Sequence, residues 1–166
     1  MTIGGASTDA DVDLVLDFLN TVDVEDGTDL LDDPAGWRAW LAAHGLSTTG
    51  SNDAADSAGD VRSALRAAVG DPGLDRAALS AQVTVTLDAG GPRLVADEVV
   101  GAVLAAASRL AVLGEWDRIK ICPADDCRWA FFDRSRNHSR TWCSMRVCGN
   151  REKARAWRER ARQVTT

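Results

Sequence analysis

Residues 122–162 read CPADDCRWAFFDRSRNHSRTWCSMRVCGNREKARAWRERAR and hold all four cysteines of the chain: Cys122, Cys127, Cys143 and Cys148. Each pair is spaced C-x4-C, and fifteen residues separate the pairs. Two close cysteine pairs with such a gap are the spacing of a tetrahedral, all-thiolate zinc site. The gap predicts a β-hairpin: Trp129 and Phe131 alternate with Arg128 and Ala130, 133–139 is turn-like, and 140–143 returns. After the second pair, Asn150 is placed to cap a basic helix over 151–162. Knuckle, hairpin, second pair and helix is the order of a treble-clef-like zinc finger.

A module this small buries too little apolar surface to fold alone and usually needs a metal or disulfides. Its visible core is Trp129, Phe131 or Phe132, Trp142 and Trp157. Four thiolates on one Zn2+ would supply on the order of 10 kcal/mol of apparent folding free energy. Two disulfides are the alternative. The opening Met1-Thr2-Ile3-Gly4-Gly5 has neither a charged nor an apolar stretch of the secretory kind, so a cytoplasmic chain with reduced thiols is expected. A shell of four cysteines leaves no open coordination position, which makes the expected metal structural.

This segment resembles the CGNR zinc finger family, named for the run that stands here as Cys148-Gly149-Asn150-Arg151. The resemblance extends over Cys122-Pro123, Asp126-Cys127, Trp129, Phe131, Asp133, Ser135-Arg136-Asn137 and Arg140. It continues through Trp142-Cys143-Ser144-Met145, Lys153 and Arg155. Such proteins also carry an N-terminal ABATE domain, whose opening is similar to Leu16-Asp17-Phe18-Leu19-Asn20-Thr21. Together the resemblances cover nearly the whole chain and imply a stress-linked bacterial transcription regulator that binds DNA.

Charge divides the chain. The 166 residues carry 19 basic and 25 acidic side chains, a net −6. From Arg118 onward there are 13 basic and 5 acidic; residues 1–117 hold 6 basic and 20 acidic. An acidic body with a basic tail is the layout of one nucleic-acid-facing module on a body that does not bind. The competing reading is a basic face docked on an acidic partner or on the chain's own body. Arginine outnumbers lysine seventeen to two, so arginine content alone is no nucleic-acid signal.

The expected architecture is α+β: a mainly helical domain with one β-hairpin over 1–117, then the zinc finger over 118–166. Residues 9–22 predict a helix capped by Asp9 or Asp11, with Val12, Val15, Leu16 and Leu19 as its stripe. Asp17 and Asn20 share a face near its end; they are candidates to meet a ligand or the neighbouring domain. The plainer expectation is that Asn20 ends the helix and Asp17 is solvated. Asp33-Pro34 starts a helix that runs to His44, where Gly45 stops it. Trp37 and Trp40 on this helix line a pocket or, more plainly, fill the core. Val61, Leu65, Ala68 and Val69 predict another helix ending at Gly70, and 75–82 a short one. Residues 83–87 and 93–95 predict a hairpin, 97–113 the most apolar helix, and 118–121 a strand leading into Cys122.

No run of eighteen apolar residues exists, so no membrane span is expected. There is no nucleophile elbow, P-loop or dinucleotide fingerprint, and the two histidines lie far apart, so no enzyme is expected. On a helical wheel Arg151, Arg155, Arg158 and Arg162 form one ridge, and Ala154, Trp157 and Ala161 a separate seam suited to pack on the hairpin or body. With Lys153, and with Arg134 and Arg136 of the hairpin turn, the ridge is the candidate DNA surface. A small-molecule effector and a homodimer are compatible with this reading.

Overall fold

The computed structural model describes residues 5–46, 53–76, 78, 83–96 and 98–164. Helix α1 spans Gly5–Leu19, α2 Pro34–Ala43, α3 Asp53–Ala68, α4 Val99–Val112 and α5 Asn150–Val164. Three two-stranded antiparallel pairs accompany them: β1 Val22–Asp23 with β2 Thr28–Asp29, β3 Thr84–Asp88 with β4 Gly91–Val95, and β5 Ile119–Ile121 with β6 Ala130–Phe132. The α+β class expected from the pattern is what forms. The short helix expected over 75–82 falls mostly outside the described residues.

Helix α1 starts earlier and ends sooner than its apolar stripe predicts. Asp9 and Asp11 lie inside it, so neither is a cap. Asp11 is buried and accepts from Arg109 Nε of α4 at 2.8 Å. The core forms where α1 crosses α4. Val12, Val15, Phe18 and Leu19 meet Val99, Val103, Ala106 and Leu110, with Trp37 and Leu41 of α2 and Val61 and Leu65 of α3 closing around them. Helix α2 follows its sequence signals. Asp33 accepts the Ala35 amide at 3.0 Å, Pro34 occupies the first turn, and Gly45 leaves the helix with φ +67°.

The β5–β6 pair belongs to both halves of the chain. Ile119, Ile121 and Ala130 are buried in the body's core, while Ile121 runs directly into Cys122. This corrects the hairpin expected between the two cysteine pairs. Residues 130–132 pair backwards with 119–121, in register Ile119–Phe132, Lys120–Phe131 and Ile121–Ala130. Residues 140–143 form no strand. Two hydrogen bonds hold the other edge of β6. The Asn20 amide clasps Ala130: Nδ2 donates to its carbonyl at 3.0 Å and Oδ1 accepts its N–H at 2.8 Å. Asp133 then ends β6 and gathers the loop that follows.

A second set of polar ties runs beneath the hairpin. Arg66 of α3 is buried; it donates to Leu19 O at 2.8 Å, Arg128 O at 2.7 Å and Asp71 Oδ2 through Nε at 2.9 Å. Burial lowers its pKa, and Asp71 works against that loss. Arg128 donates from Nε to Asp71 Oδ1 at 2.8 Å. One buried carboxylate therefore holds an arginine from each half.

Candidate metal centre and the basic surface

The knuckle explains how Cys122 and Cys127 come together. The Cys122 N–H donates to Trp129 O at 2.9 Å, and the Cys127 and Arg128 amides both donate to Ala124 O, at 2.9 and 3.1 Å. This tight turn leaves Arg128 at φ +51°, a conformation most L-residues avoid. The Arg128 side chain and carbonyl are fixed by Asp71 and Arg66, which hold it there.

Cys143 and Cys148 arrive from the other side. Ser144 caps a π-helical turn, Met145–Gly149, its hydroxyl accepting the Val147 amide at 3.3 Å. That turn runs straight into α5. The helical run thus starts five residues before Asn150, which is not its cap. Asn150 has helical dihedrals and donates back to Arg146 O at 3.2 Å. Gly149 is closely packed: a Cβ there would lie 2.5 Å from Met145 Sδ and 3.1 Å from Trp142 Cδ1, so the Met145 side chain would have to shift.

The four Sγ atoms lie within 4.8 Å of one another, and Cys122, Cys127 and Cys148 are buried. Cys127–Cys143 is 3.5 Å and Cys143–Cys148 3.6 Å between sulfurs. Four thiolates about 2.3 Å from one tetrahedral ion stand about 3.8 Å apart, so the donor set fits a zinc ion. All four cysteines are free, which sets aside the disulfide alternative. Burial pushes the Cys127 thiol up to about 11 and raises Cys143 as well. At Cys122 burial also pushes upward, but amides of Cys143 and Ala124 and the neighbouring thiols outweigh it and the net shift is downward. A buried group of four thiols that resists full ionisation is a site that a divalent cation completes.

Trp142 packs against the sulfurs as expected. Trp129 does not: it is 39% exposed and lines an open cavity against the body. Asp133 meets Arg140 through the Arg140 backbone amide and not through its guanidinium. Asp133 is fully buried and accepts from Lys120 Nζ at 2.7 Å, the Ser135 amide at 2.9 Å and the Arg140 amide at 2.9 Å. Burial opposes its ionisation; Lys120 and then Ser135 and Arg140 overcome this and hold the carboxyl well below the usual range. The Arg140 guanidinium turns instead to Trp142 O and Cys143 O, above the Phe131 ring. Lys120 also donates to His138 O and Arg140 O, at 2.6 and 3.1 Å. Sequence reasoning missed Lys120, because one lysine in a short strand carries no pattern.

The basic ridge is not uniform. Arg151 faces inward, 3.2 Å from Glu25 and 2.9 Å from Asp126, with a guanidinium nitrogen 3.8 Å from Cys148 Sγ. Arg155 reaches Glu152 at 2.6 Å and Asp125 at 3.7 Å. Arg134 meets Asp9 at 3.3 Å with both groups exposed. Arg136, Lys153, Arg158 and Arg162 are exposed, as are Arg146 and Arg160, which the ridge did not include. The seam expected to be buried is open: Trp157 is 66% exposed, and Ala154 and Ala161 are exposed beside it. The wheel gives the face of a residue but not whether another element lies opposite it.

Residues 118–161 match the family model described as "CGNR zinc finger". Residues 12–121 match the ABATE model, described as "Putative stress-induced transcription regulator". Among curated proteins no match is found. No helix among the described residues is long and apolar enough to cross a membrane. With two thirds of its length under one model and its sulfur cluster under the other, the chain belongs to the ABATE family and ends in a CGNR zinc finger.

Proposed function

We propose that this protein is a cytoplasmic DNA-binding transcription regulator. One structural zinc ion fixes its C-terminal surface, and the exposed cations of α5 and the 134–140 loop contact phosphates. The observation that carries this reading is the split within the ridge. Arg151 and Arg155 secure the start of α5 to carboxylates near the zinc site. Lys153, Arg158, Arg160 and Arg162 stand exposed along a helix that leads away from it. A helix anchored at one end and cationic beyond is suited to follow a phosphate backbone. Arg136 and Arg146 are exposed as well, and Arg134 is exposed beside Asp9.

Salt titration of the zinc-loaded protein on genomic duplex tests the proposal. Each phosphate contact contributes about −0.9 to the slope of log K against log salt; four or more contacts give a slope steeper than about −3.5. Absence of any complex at low salt sinks it. The second reading, a zinc-stabilised protein-interaction module, draws on the contacts of Arg151 with Glu25 and of Arg134 with Asp9. It has basic groups resting on the chain's own acidic body, and it predicts binding to acidic proteins with no preference for duplex.

A further inference from the structure

A cavity of about 800 Å³ opens where α2, the β1–β2 turn and the zinc module meet. Its walls come from both halves of the chain: Asp17, Asp23, Asp32, Trp40 and His44 from the body, and Trp129 from the zinc knuckle. The volume is that of a small-molecule site. Its aromatic surface is ordered. Trp40 stacks on Trp37 at 5.0 Å and lies against His44 at 4.0 Å with the rings tilted by 30°, and His44 Nε2 lies 3.2 Å from Asp17 Oδ2. Trp129 is the partly exposed indole facing the same space.

The lining carboxylates are differently engaged. Asp29 is held by Arg62 and Asp33 caps α2, while Asp23 accepts the Glu25 and Asp26 amides. Asp17 shares His44 but is 59% exposed, and Asp32 is exposed with no partner among the described residues. Negative charge beside an available indole face is the environment that recognises an organic cation. An anion would face five lining aspartates, with His44 the one lining side chain able to carry positive charge, and a neutral apolar molecule would leave the carboxylates without a partner.

We propose that this cavity binds a small organic cation carrying a flat or apolar body, its charge toward Asp17 and Asp32 and its body against Trp129. The occupant would touch both modules. The Trp129 carbonyl receives the Cys122 amide, so the ligand would bear on the zinc knuckle through one residue. The inference does not depend on what the basic surface binds.

The test uses the full zinc-loaded chain, ¹⁵N-labelled and titrated at constant ionic strength with benzylammonium and with benzyl alcohol, its neutral counterpart. The expected result is saturable shifts of the Trp129 and Trp40 indole signals with benzylammonium. Benzyl alcohol should bind about tenfold more weakly or worse, as loss of about 1.4 kcal/mol of charge recognition requires. Asp32→Asn, at a side chain with no partner to lose, should weaken benzylammonium several-fold, and with Asp17→Asn about tenfold. Equal binding of the two probes, shifts that ignore both substitutions, or no saturable shift at all would overturn the proposal.

Discussion

The side-chain amide of Asn20 occupies the place of a neighbouring strand beside Ala130, accepting its N–H at 2.8 Å and donating to its carbonyl at 3.0 Å. The residue that follows α1 thereby grips the hairpin from which the first cysteine pair hangs. Replacing Asn20 with alanine leaves two backbone groups unsatisfied in a partly buried place, at about 1–3 kcal/mol. Asn20→Asp keeps the acceptor for the Ala130 N–H but sets a carboxylate oxygen against the Ala130 carbonyl, so it should not restore the parent's stability. Urea unfolding of the zinc-loaded protein measures both, and an alanine variant as stable as the parent contradicts the clasp.

Removal of the metal should unfold the C-terminal module. Three of the four cysteines are buried, and burial pushes Cys127 up to about 11. Zinc binding must therefore release protons, and affinity must fall as pH falls. Calorimetry in buffers of different ionisation heat reads the proton count. Binding without proton release would contradict a four-thiolate site. Cys143→Ser should lower zinc affinity by orders of magnitude.

The buried Asp71 joins Arg66 and Arg128. Arg66→Met removes one cation and strands the Leu19 and Arg128 carbonyls, for a loss of about 3–5 kcal/mol. Gly73→Ala acts on the same group from another side, since a Cβ would collide with the Arg128 guanidinium that Asp71 holds in place. Both variants should lower the thermal midpoint and raise the rate of zinc transfer to a chelator, which a colorimetric assay follows.

Asp133 gives acid sensitivity a definite sign. Its carboxyl holds a proton less tightly in the folded protein than in the unfolded chain. As pH falls below about 4 the unfolded chain takes up that proton first. The stabilisation is complete above that range and declines below it. Asp133→Asn should flatten the dependence of the urea midpoint on pH between 3 and 5; a slope identical to the parent's would contradict the assignment.

Arg158 and Arg160 separate nucleic-acid binding from folding. Both are exposed, and removing them together should change stability by less than about 0.5 kcal/mol each. In the DNA-binding reading the salt slope falls by about 0.9 for each lost phosphate contact. Arg151→Ala should show the opposite balance, because its partners are Glu25, Asp126 and Cys148. Equal effects of all three on binding would argue against the division of the ridge.

The parts legible in the sequence were those set by local chemistry. Asp33-Pro34 marked the start of α2, the alternation at 83–95 marked a hairpin, and cysteine spacing marked the metal site. What remained hidden was decided at long range. Residues 130–132 alternate equally well for pairing with 140–143 or 119–121, and the pairing that forms is the one that buries Ile119, Ile121 and Ala130 in the body's core, with Asn20, 110 positions away, on the strand's other edge. The inward turn of Arg151 depends on Glu25, 126 positions away. The exposure of Trp157 depends on what does not lie against it, and no pattern within α5 encodes that.

Strand β5 falls under both family models, which overlap at residues 118–121. Ile119 and Ile121 are buried with the helices of the body, yet they carry the first metal-binding loop. Grafted onto a foreign host, residues 118–166 would arrive with two isoleucines bare and nothing to grip Ala130. Zinc retention by that fragment, set beside the intact protein, measures the handicap.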